Sequence, residues 1–362
     1  MSDDLGPYRS VHIRRPGVGL EAFVVIDNTA RGPAIGGVRM APDAGLEEAR
    51  RLARAMTLKN AAADLAHGGG KSVIVADPTM APARKEQLVR AFADSIRDLG
   101  DYIPGPDMGT DEGCMAWVKD EIGRAVGLPR ELGGIPLDVI GATGLGLVAA
   151  IEAAQRTAGI AIKGARVAVQ GFGAVGKHAA RFLAERGAVL VAASDSRGTL
   201  VDPDGLDVAA LIALKAAGRP LSDHDRGDKR ERDAVIDVAC EIWIPAARPD
   251  VIRTDNVGRL KARLVAEGAN IPLDDAAERA LHAGGVVVLP DFIANAGGVI
   301  CAAVEYRGGS EAQARSAIVD KIAANTASVL AESARSGEPP RSAALALAER
   351  RVRAAMALRR FR

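Results

Sequence analysis

Short apolar runs stopped by turn residues alternate along the chain with stretches whose apolar positions recur every three or four residues. Residues 22–27 (AFVVID) and 72–77 (SVIVAD) are β-branched runs that stop at turn residues, and they predict short buried strands. Between them, 46–66 has helical periodicity, with Glu47 and Glu48 in a first turn whose dipole favours acids. A second helix is predicted from about residue 84 to 99. Further on come a helix over 144–158 and a strand–turn–helix–strand unit over 165–195. Strands over 238–244 (VACEIWI), 263–266 (RLVA) and 286–289 (VVVL) follow, with helical patterns between them. This alternation implies a parallel, doubly wound sheet. Residues 128–140 (LPRELGGIPLDVI) carry two prolines and a glycine pair and are the expected crossing between two domains. The tail from about residue 310 reads as helical, alanine-rich and increasingly basic. The mixed-sign run 223–233 (DHDRGDKRERD) reads as a solvated loop or helix start.

Composition narrows the class. A chain of 362 residues can build two cores, and 48% apolar residues with 40 glycines suit a packed α/β protein with tight loops. Lys and Arg (47) nearly balance Asp and Glu (46), so no net field draws the chain to nucleic acid or to a membrane surface. The first residues lack a basic segment followed by an apolar run, so no secretory signal is expected. The apolar run 139–151 has only 13 residues, short of a bilayer span. Cys114, Cys240 and Cys301 are far apart and form no C-x-x-C pair, so neither a disulfide framework nor a structural metal is expected. These features point to a reducing cytoplasm.

The most informative local pattern is 166–176. A buried-strand run, RVAVQ, leads directly into Gly171-Phe172-Gly173-Ala174-Val175-Gly176, then a helix over 177–186 and a strand over 189–193 that ends at Ser194-Asp195. In such a unit Gly171 permits the tight turn, Gly173 lets the backbone approach a pyrophosphate, and Gly176 lets helix and strand pack closely. The unpaired N–H groups at the positive helix end hold the pyrophosphate. Asp195, 19 residues past Gly176, stands where an acid accepts hydrogen bonds from the adenosine ribose. Its carboxylate should repel a 2′-phosphate and so favours NAD. Ser196 and Arg197 offer donors for that phosphate, and NADP stays open.

A second constellation lies in the first third. Lys59 falls on the apolar stripe of its predicted helix, where lysine is rarely buried without a partner, although a snorkelling lysine at a core edge fits equally. Lys71 follows Gly68, Gly69 and Gly70 and enters a strand; it is either a surface charge or an amine of depressed pKa in a desolvated cleft. Asp107 sits in Gly105-Pro106-Asp107-Met108-Gly109-Thr110, a setting that also suits a turn or cap aspartate.

Several motifs in one order give these residues a context: GPAIGGVRM (32–40), MTLKNAAADLAHGGGKSV (56–73), GPDMGT (105–110), ATGLG (142–146), the GFGAVG turn, EGAN (267–270) and PDFIANAGGV (290–299). Together they resemble the glutamate/leucine/phenylalanine/valine dehydrogenase family over nearly the whole chain. The resemblance implies an α/β protein of two domains with a cleft between them. The first is an N-terminal substrate-binding and oligomerisation domain, 1–138, with helices of 330–362 packing back on it. The second is a Rossmann-type dinucleotide domain, 139–329. It implies reversible, NAD(P)-dependent oxidative deamination of an L-amino acid to a 2-oxo acid and ammonia by a homo-oligomer. It also implies that Lys59 binds the α-carboxylate, that Lys71 is the catalytic lysine assisting water addition to the iminium, and that Asp107 is the acid/base at the amino group. Gly36 and Gly37 resemble a pair whose backbone meets the substrate carboxylate. Thr143, Asn270 and Asn295 match positions near nicotinamide and substrate, or act as structural polar caps.

The substrate side chain is where the chain departs from the glutamate members. They place a lysine just before the GGxR motif and a hydroxyl three residues after the valine of NAGGV; here those positions are Ile35 and Ala302. Ile35, Gly105, Val299 and Ala302 would line an apolar pocket, which points to the leucine, valine or phenylalanine class. The spellings GPDMGT and EGAN look more like the glutamate members, so glutamate dehydrogenase is the alternative. A non-catalytic dinucleotide-binding sensor is a third reading, one that needs the GFGAVG turn but neither Lys71 nor Asp107.

Overall fold

The computed structural model describes residues 3–359, which divide into two compact units. Among the described residues, the first unit takes those up to Leu137, then Val299–Ala314 and those from Leu345 onward; the second takes Asp138–Gly298 and Arg315–Ala344.

In the first unit the elements run β1 (Arg9–Arg15), β2 (Leu20–Asn28), β3 (Ala34–Ala41), α1 (Leu46–Ala62), β4 (Gly68–Val75), α2 (Pro82–Ser95), β5 (Tyr102–Pro106) and α3 (Glu112–Ile122). The strands form a mixed sheet in the order β1-β2-β4-β3-β5, antiparallel from β1 to β4 and parallel from β4 to β5. Alternating side chains go to opposite faces. Val24, Ile26, Val38, Met40 and Ile74 meet Phe92 of α2 and Met115 of α3, while Val25 and Val73 meet Ala49 and Ala53 of α1.

Three of these strands are not among the predicted ones. β1 alternates with exposed Arg and His, β3 contains a glycine pair, and β5 contains two prolines, tolerated because it pairs on one side only. Strand β4 begins at Gly68, four residues before the prediction, so the glycine triplet is strand and not a ligand-facing loop. A side chain at Gly68 would meet the Asn28 carbonyl at 1.8 Å, and one at Gly69 would meet the Thr57 backbone nitrogen at 2.0 Å. These glycines let protein backbone pack against protein. Helix α1 stops at Ala62, short of residue 66, because the chain turns through a left-handed Asp64 (φ 53°) to enter β4.

The second unit contains single-turn α4 (Leu137–Ile140) at its boundary, α5 (Ala142–Ala158), β6 (Arg166–Gln170), α6 (Ala174–Ala184), β7 (Val189–Ser194), β8 (Thr199–Val201), α7 (Val208–Ala216) and β9 (Asp228–Arg230). It continues with β10 (Ile242–Pro245), β11 (Leu264–Ala266), α8 (Asp275–Ala283), β12 (Val287–Leu289) and single-turn α9 (Asp291–Ala294). The sheet order is β12-β11-β10-β6-β7-β8-β9, parallel from β12 through β7 with two antiparallel strands at the edge. This is the doubly wound sheet expected from the alternation, extended by β8 and by β9, whose residues Asp228, Lys229 and Arg230 are all exposed. Charged residues on a short edge strand discourage further pairing. Residues 137–158 are long and apolar enough by composition to cross a membrane, more than the 13-residue run suggests, but about two-thirds of the stretch is buried inside the protein. Helix α5 is apolar nearly all round because it is a core helix.

The C-terminal part forms α10 (Gly297–Tyr306), α11 (Glu311–Ser336) and α12 (Pro340–Met356). The predicted limits, 139–329 for one domain and 330–362 returning to the other, differ from the observed division, in which Val299–Ala314 falls with the first unit and Arg315–Ala344 with the second. Glu305 accepts from the Leu128 and Ile135 N–H groups, which ties α10 to the first unit. Arg341 joins Glu267, Glu278 and Asp291 in the second unit. Arg351 donates to the Ala61 and Ala62 carbonyls of the first.

Candidate active site

In the first unit the loop after β5 builds the position of Asp107. The Thr110 hydroxyl accepts from the Asp107 N–H (3.0 Å) and donates to the Val38 carbonyl (2.7 Å), while Met40 N–H donates to the Met108 carbonyl (2.9 Å). Gly109 turns through φ 83° with its Cβ direction 2.1 Å from the Met40 carbonyl, so no side chain fits there. Gly37 leaves the room Asp107 needs: a Cβ on it would lie 2.7 Å from the Asp107 Cβ.

The Lys71 ammonium donates directly to Asp107 Oδ2. Thirty-six residues separate the two in sequence, and the parallel β3–β4 and β3–β5 pairings bring them together. The Lys71 side chain is only 8% exposed. Burial chiefly, helped by the positive charges of Arg39 and Lys59, pushes its amine down to about 7, against the opposing pull of Glu48. The contact with Asp107 also favours the charged form, but desolvation sets the direction. Lys59, half-buried in the last turn of α1, is thus part of the same electrostatic centre.

Arg39 is a further candidate that the motifs alone did not single out: its guanidinium pairs with Glu48 and lies 3.6 Å from Asp107 Oδ1. The signal was present, since Arg39 is the arginine of GPAIGGVRM. Gly36 is buried, and a side chain there would strike the Gly70 carbonyl at 1.6 Å, while the half-buried Gly37 stands beside Asp107. A side chain on Gly105 would meet the Val126 side chain at 3.0 Å. Ile35 is 4% exposed and shares a sheet face with Gly37 and Arg39. Val299 and Ala302 are half-buried one turn apart on α10.

In the second unit the Gly171 and Phe172 N–H groups both donate to the Ser194 carbonyl (3.0 and 2.9 Å), pinning the turn to the end of β7. Gly171 takes φ 93°, and a side chain on Gly176 would lie 1.9 Å from the Gly171 carbonyl, so helix and strand pack as predicted. A side chain on Gly173 would meet nothing within 4 Å, which is the open approach a pyrophosphate requires. Helix α6 starts at Ala174, earlier than predicted, and Gly173 caps it without a side-chain bond, leaving N–H donors for an anion. These residues fit a dinucleotide. Beside them a groove of about 400 Å³ is lined by Ser194, Asp195, Ser196, Lys215, Arg232 and Arg248 together with the turn. Asn295 donates to Asn270 Oδ1 (3.0 Å), and Gly297 packs on the backbone of Ala142 and Thr143, so the first turn of α5, which carries Thr143, adjoins the segments that carry Asn270 and Asn295. Among the described residues no group of three or more His, Cys, Asp or Glu is arranged to hold a metal ion.

Residues 133–360 match the family model described as Glutamate/Leucine/Phenylalanine/Valine dehydrogenase, and 9–124 match that of the Glu/Leu/Phe/Val dehydrogenase dimerisation domain. The chain belongs to this family. It is an NAD(P)-dependent amino-acid dehydrogenase, an oxidoreductase acting on CH–NH2 groups. The dehydrogenase is 38% identical over 355 residues to a glutamate dehydrogenase of Aeropyrum pernix (92% of this chain, 85% of that one). It is 40% identical over 305 residues to an NADP(+)-dependent glutamate dehydrogenase of Pyrobaculum calidifontis (79% and 72%). Among solved structures it is similar to the Leu-bound form of the hetero-hexameric glutamate dehydrogenase from Thermus thermophilus, with a TM-score of 0.86, 33% identity, and 98% and 91% of the two chains covered. It is also similar to L-tryptophan dehydrogenase from Nostoc punctiforme, with a TM-score of 0.77, 26% identity and 98% of each chain covered.

Proposed function

We propose that this dehydrogenase carries out reversible oxidative deamination of an apolar L-amino acid of the leucine, valine or phenylalanine class. In this reading the Lys59 ammonium receives the α-carboxylate by charge-assisted hydrogen bonds. Lys71, uncharged above about pH 7, accepts the proton of the water that adds to the substrate imine. Asp107, hydrogen-bonded to Lys71, exchanges protons with the amino group. The dinucleotide, held at the GFGAVG turn, supplies the hydride acceptor. Ammonia and the 2-oxo acid leave.

The observation that carries the substrate class is Ile35. It is a buried aliphatic side chain on the Gly37 face of β3, at the position where the glutamate members of the family have a lysine. A glutamate side-chain carboxylate brought there would lose its charged partner, at a cost of roughly 3–5 kcal/mol. Ala302 supports the same reading. The names of the curated relatives favour the second reading, glutamate, at 38–40% identity. Kinetics with a panel of L-amino acids, for the parent enzyme and Ile35→Lys, separates the two. The apolar reading expects leucine, valine or phenylalanine to exceed glutamate in kcat/KM, and the variant to move the ratio toward glutamate by at least tenfold. Glutamate turned over faster than every apolar amino acid by the parent enzyme would transfer the assignment to glutamate. A homo-oligomer in the reducing cytoplasm completes the proposal, supported by the dimerisation-domain match and by the burial of Cys114, Cys240 and Cys301.

A further inference from the structure

The groove beside the GFGAVG turn carries more positive charge than an adenosine ribose needs. Asp195 immediately follows β7, where a carboxylate can take the ribose hydroxyls, but its oxygens are engaged within the protein. Oδ2 accepts from Lys215 Nζ and from the Leu221 N–H, both at 2.9 Å, and Oδ1 accepts from the Arg197 N–H at 2.9 Å. The side chain is 7% exposed. Against burial, which raises it, the Leu221 N–H and the Lys215 ammonium hold its pKa below the usual range. The Asp195 charge is therefore neutralised by Lys215 and presents little repulsion to an arriving anion.

Two further cations reach the same groove, Arg232 from the segment after β9 and Arg248 from the loop after β10. Both guanidiniums approach one carboxylate, Asp233, at 3.3 and 3.9 Å, which places them side by side, and both remain about half exposed. Lys215 is matched by Asp195, and Arg232 and Arg248 share the single carboxylate of Asp233, so one positive charge remains over at the groove. Paired forked donors with surplus positive charge match a phosphate dianion, which offers three acceptor oxygens. A ribose with a free 2′-hydroxyl would leave that surplus uncompensated.

We propose that Arg232 and Arg248, with Ser196, bind the 2′-phosphate of the adenosine ribose, so that the enzyme prefers NADP(H) to NAD(H). The inference rests on the dinucleotide reading of the GFGAVG turn and narrows the choice left open by Asp195 and Ser196.

Equilibrium binding without turnover tests it. Titrations follow the fluorescence of NADPH and NADH, and each reduced cofactor is displaced by adenosine 2′,5′-bisphosphate and by adenosine 5′-monophosphate. The expected results are at least tenfold tighter binding of NADPH than NADH and stronger displacement by the bisphosphate. In Arg232→Ala/Arg248→Ala the ratio of the two dissociation constants should fall at least tenfold, with partial retention in Arg232→Lys/Arg248→Lys. NADPH affinity should also fall more steeply with salt than NADH affinity. NADH bound as tightly as NADPH, or an unchanged ratio in the double alanine variant, would overturn this inference and leave the dinucleotide site standing. Binding of neither cofactor would overturn both.

Discussion

In the second unit three carboxylates surround one guanidinium, and Glu267→Gln tests what that imbalance does to stability. Arg341 reaches Glu267 and Glu278 at 2.6 Å and Asp291 at 3.0 Å, and Glu267 is fully buried. One cation offsets one of three negative charges, and an uncompensated buried charge costs several kcal/mol, so binding a proton is the cheaper solution. Burial first, and then the neighbouring Asp291 and Glu278, raise Glu267 to about 8 despite the opposing Arg341. A raised acid binds its proton more tightly folded than unfolded. Its contribution to stability is therefore complete below the unfolded value near 4.5, shrinks as pH rises, and is gone above about 8. Each pH unit in that window is worth about 1.4 kcal/mol, so the change between pH 5 and pH 8 is at most about 4 kcal/mol. Glutamine copies the shape of the protonated acid and does not titrate. The variant should match the parent to within about 1 kcal/mol at pH 5 and exceed it at pH 9. With roughly 2–4 °C per kcal/mol for a unit of this size, the two melting temperatures should diverge by on the order of 10 °C. Thermal melts of both proteins, followed by circular dichroism at one scan rate in buffers from pH 5 to 9, read this directly. Parallel curves would refute the reasoning, since Glu267 would then be ionised throughout and Arg341 would be satisfying all three acids.

Three further outcomes concern the two candidate sites. With the Lys71 amine held near 7 and acting uncharged, kcat for deamination should fall about tenfold per unit below that pH and level off above it; an acid limb near the ordinary lysine value of 10.5 would remove the proposed role. Lys71→Arg, charged at every working pH, should lose about 10²–10⁴ of kcat in the same assay while cofactor binding persists. Gly176→Ala places a methyl 1.9 Å from the Gly171 carbonyl, so NADPH and NADH titrations should both weaken by at least tenfold, and unchanged affinity would show that the turn does not hold the pyrophosphate.

What was legible in the chain follows from how local each signal is. The β6–turn–α6–β7 unit could be read because strand, glycines, helix and second strand are consecutive and each residue's duty is set by near neighbours. Strands β3 and β5 were hidden because their glycines and prolines serve contacts elsewhere: Gly37 makes room for Asp107, and Gly105 has Val126 against it. The Gly68–Gly70 run illustrates the ambiguity, since close approach to a ligand and close approach to another strand demand the same residue. The Lys71–Asp107 contact came from family resemblance, not from spacing, because it depends on two parallel strand pairings.

The charged clusters assembled from distant segments were the least legible, for a physical reason. Lys215, Arg232 and Arg248 arise from three separate segments and look like ordinary surface charges until the β7 and β10 ends bring them to one groove. Arg341 lies 74 residues from Glu267 in a tail whose composition suggested only a basic helix. An aspartate after a second strand reads as an acceptor for ribose only while its own partners are unknown. Lys215, 20 residues further on, cancels that charge, and the same carboxylate then becomes part of the scaffold that holds Leu221 and Arg197 in place. Cofactor preference is therefore decided by which cations the fold assembles around Asp195, and an acid at that position is not sufficient to exclude a phosphate.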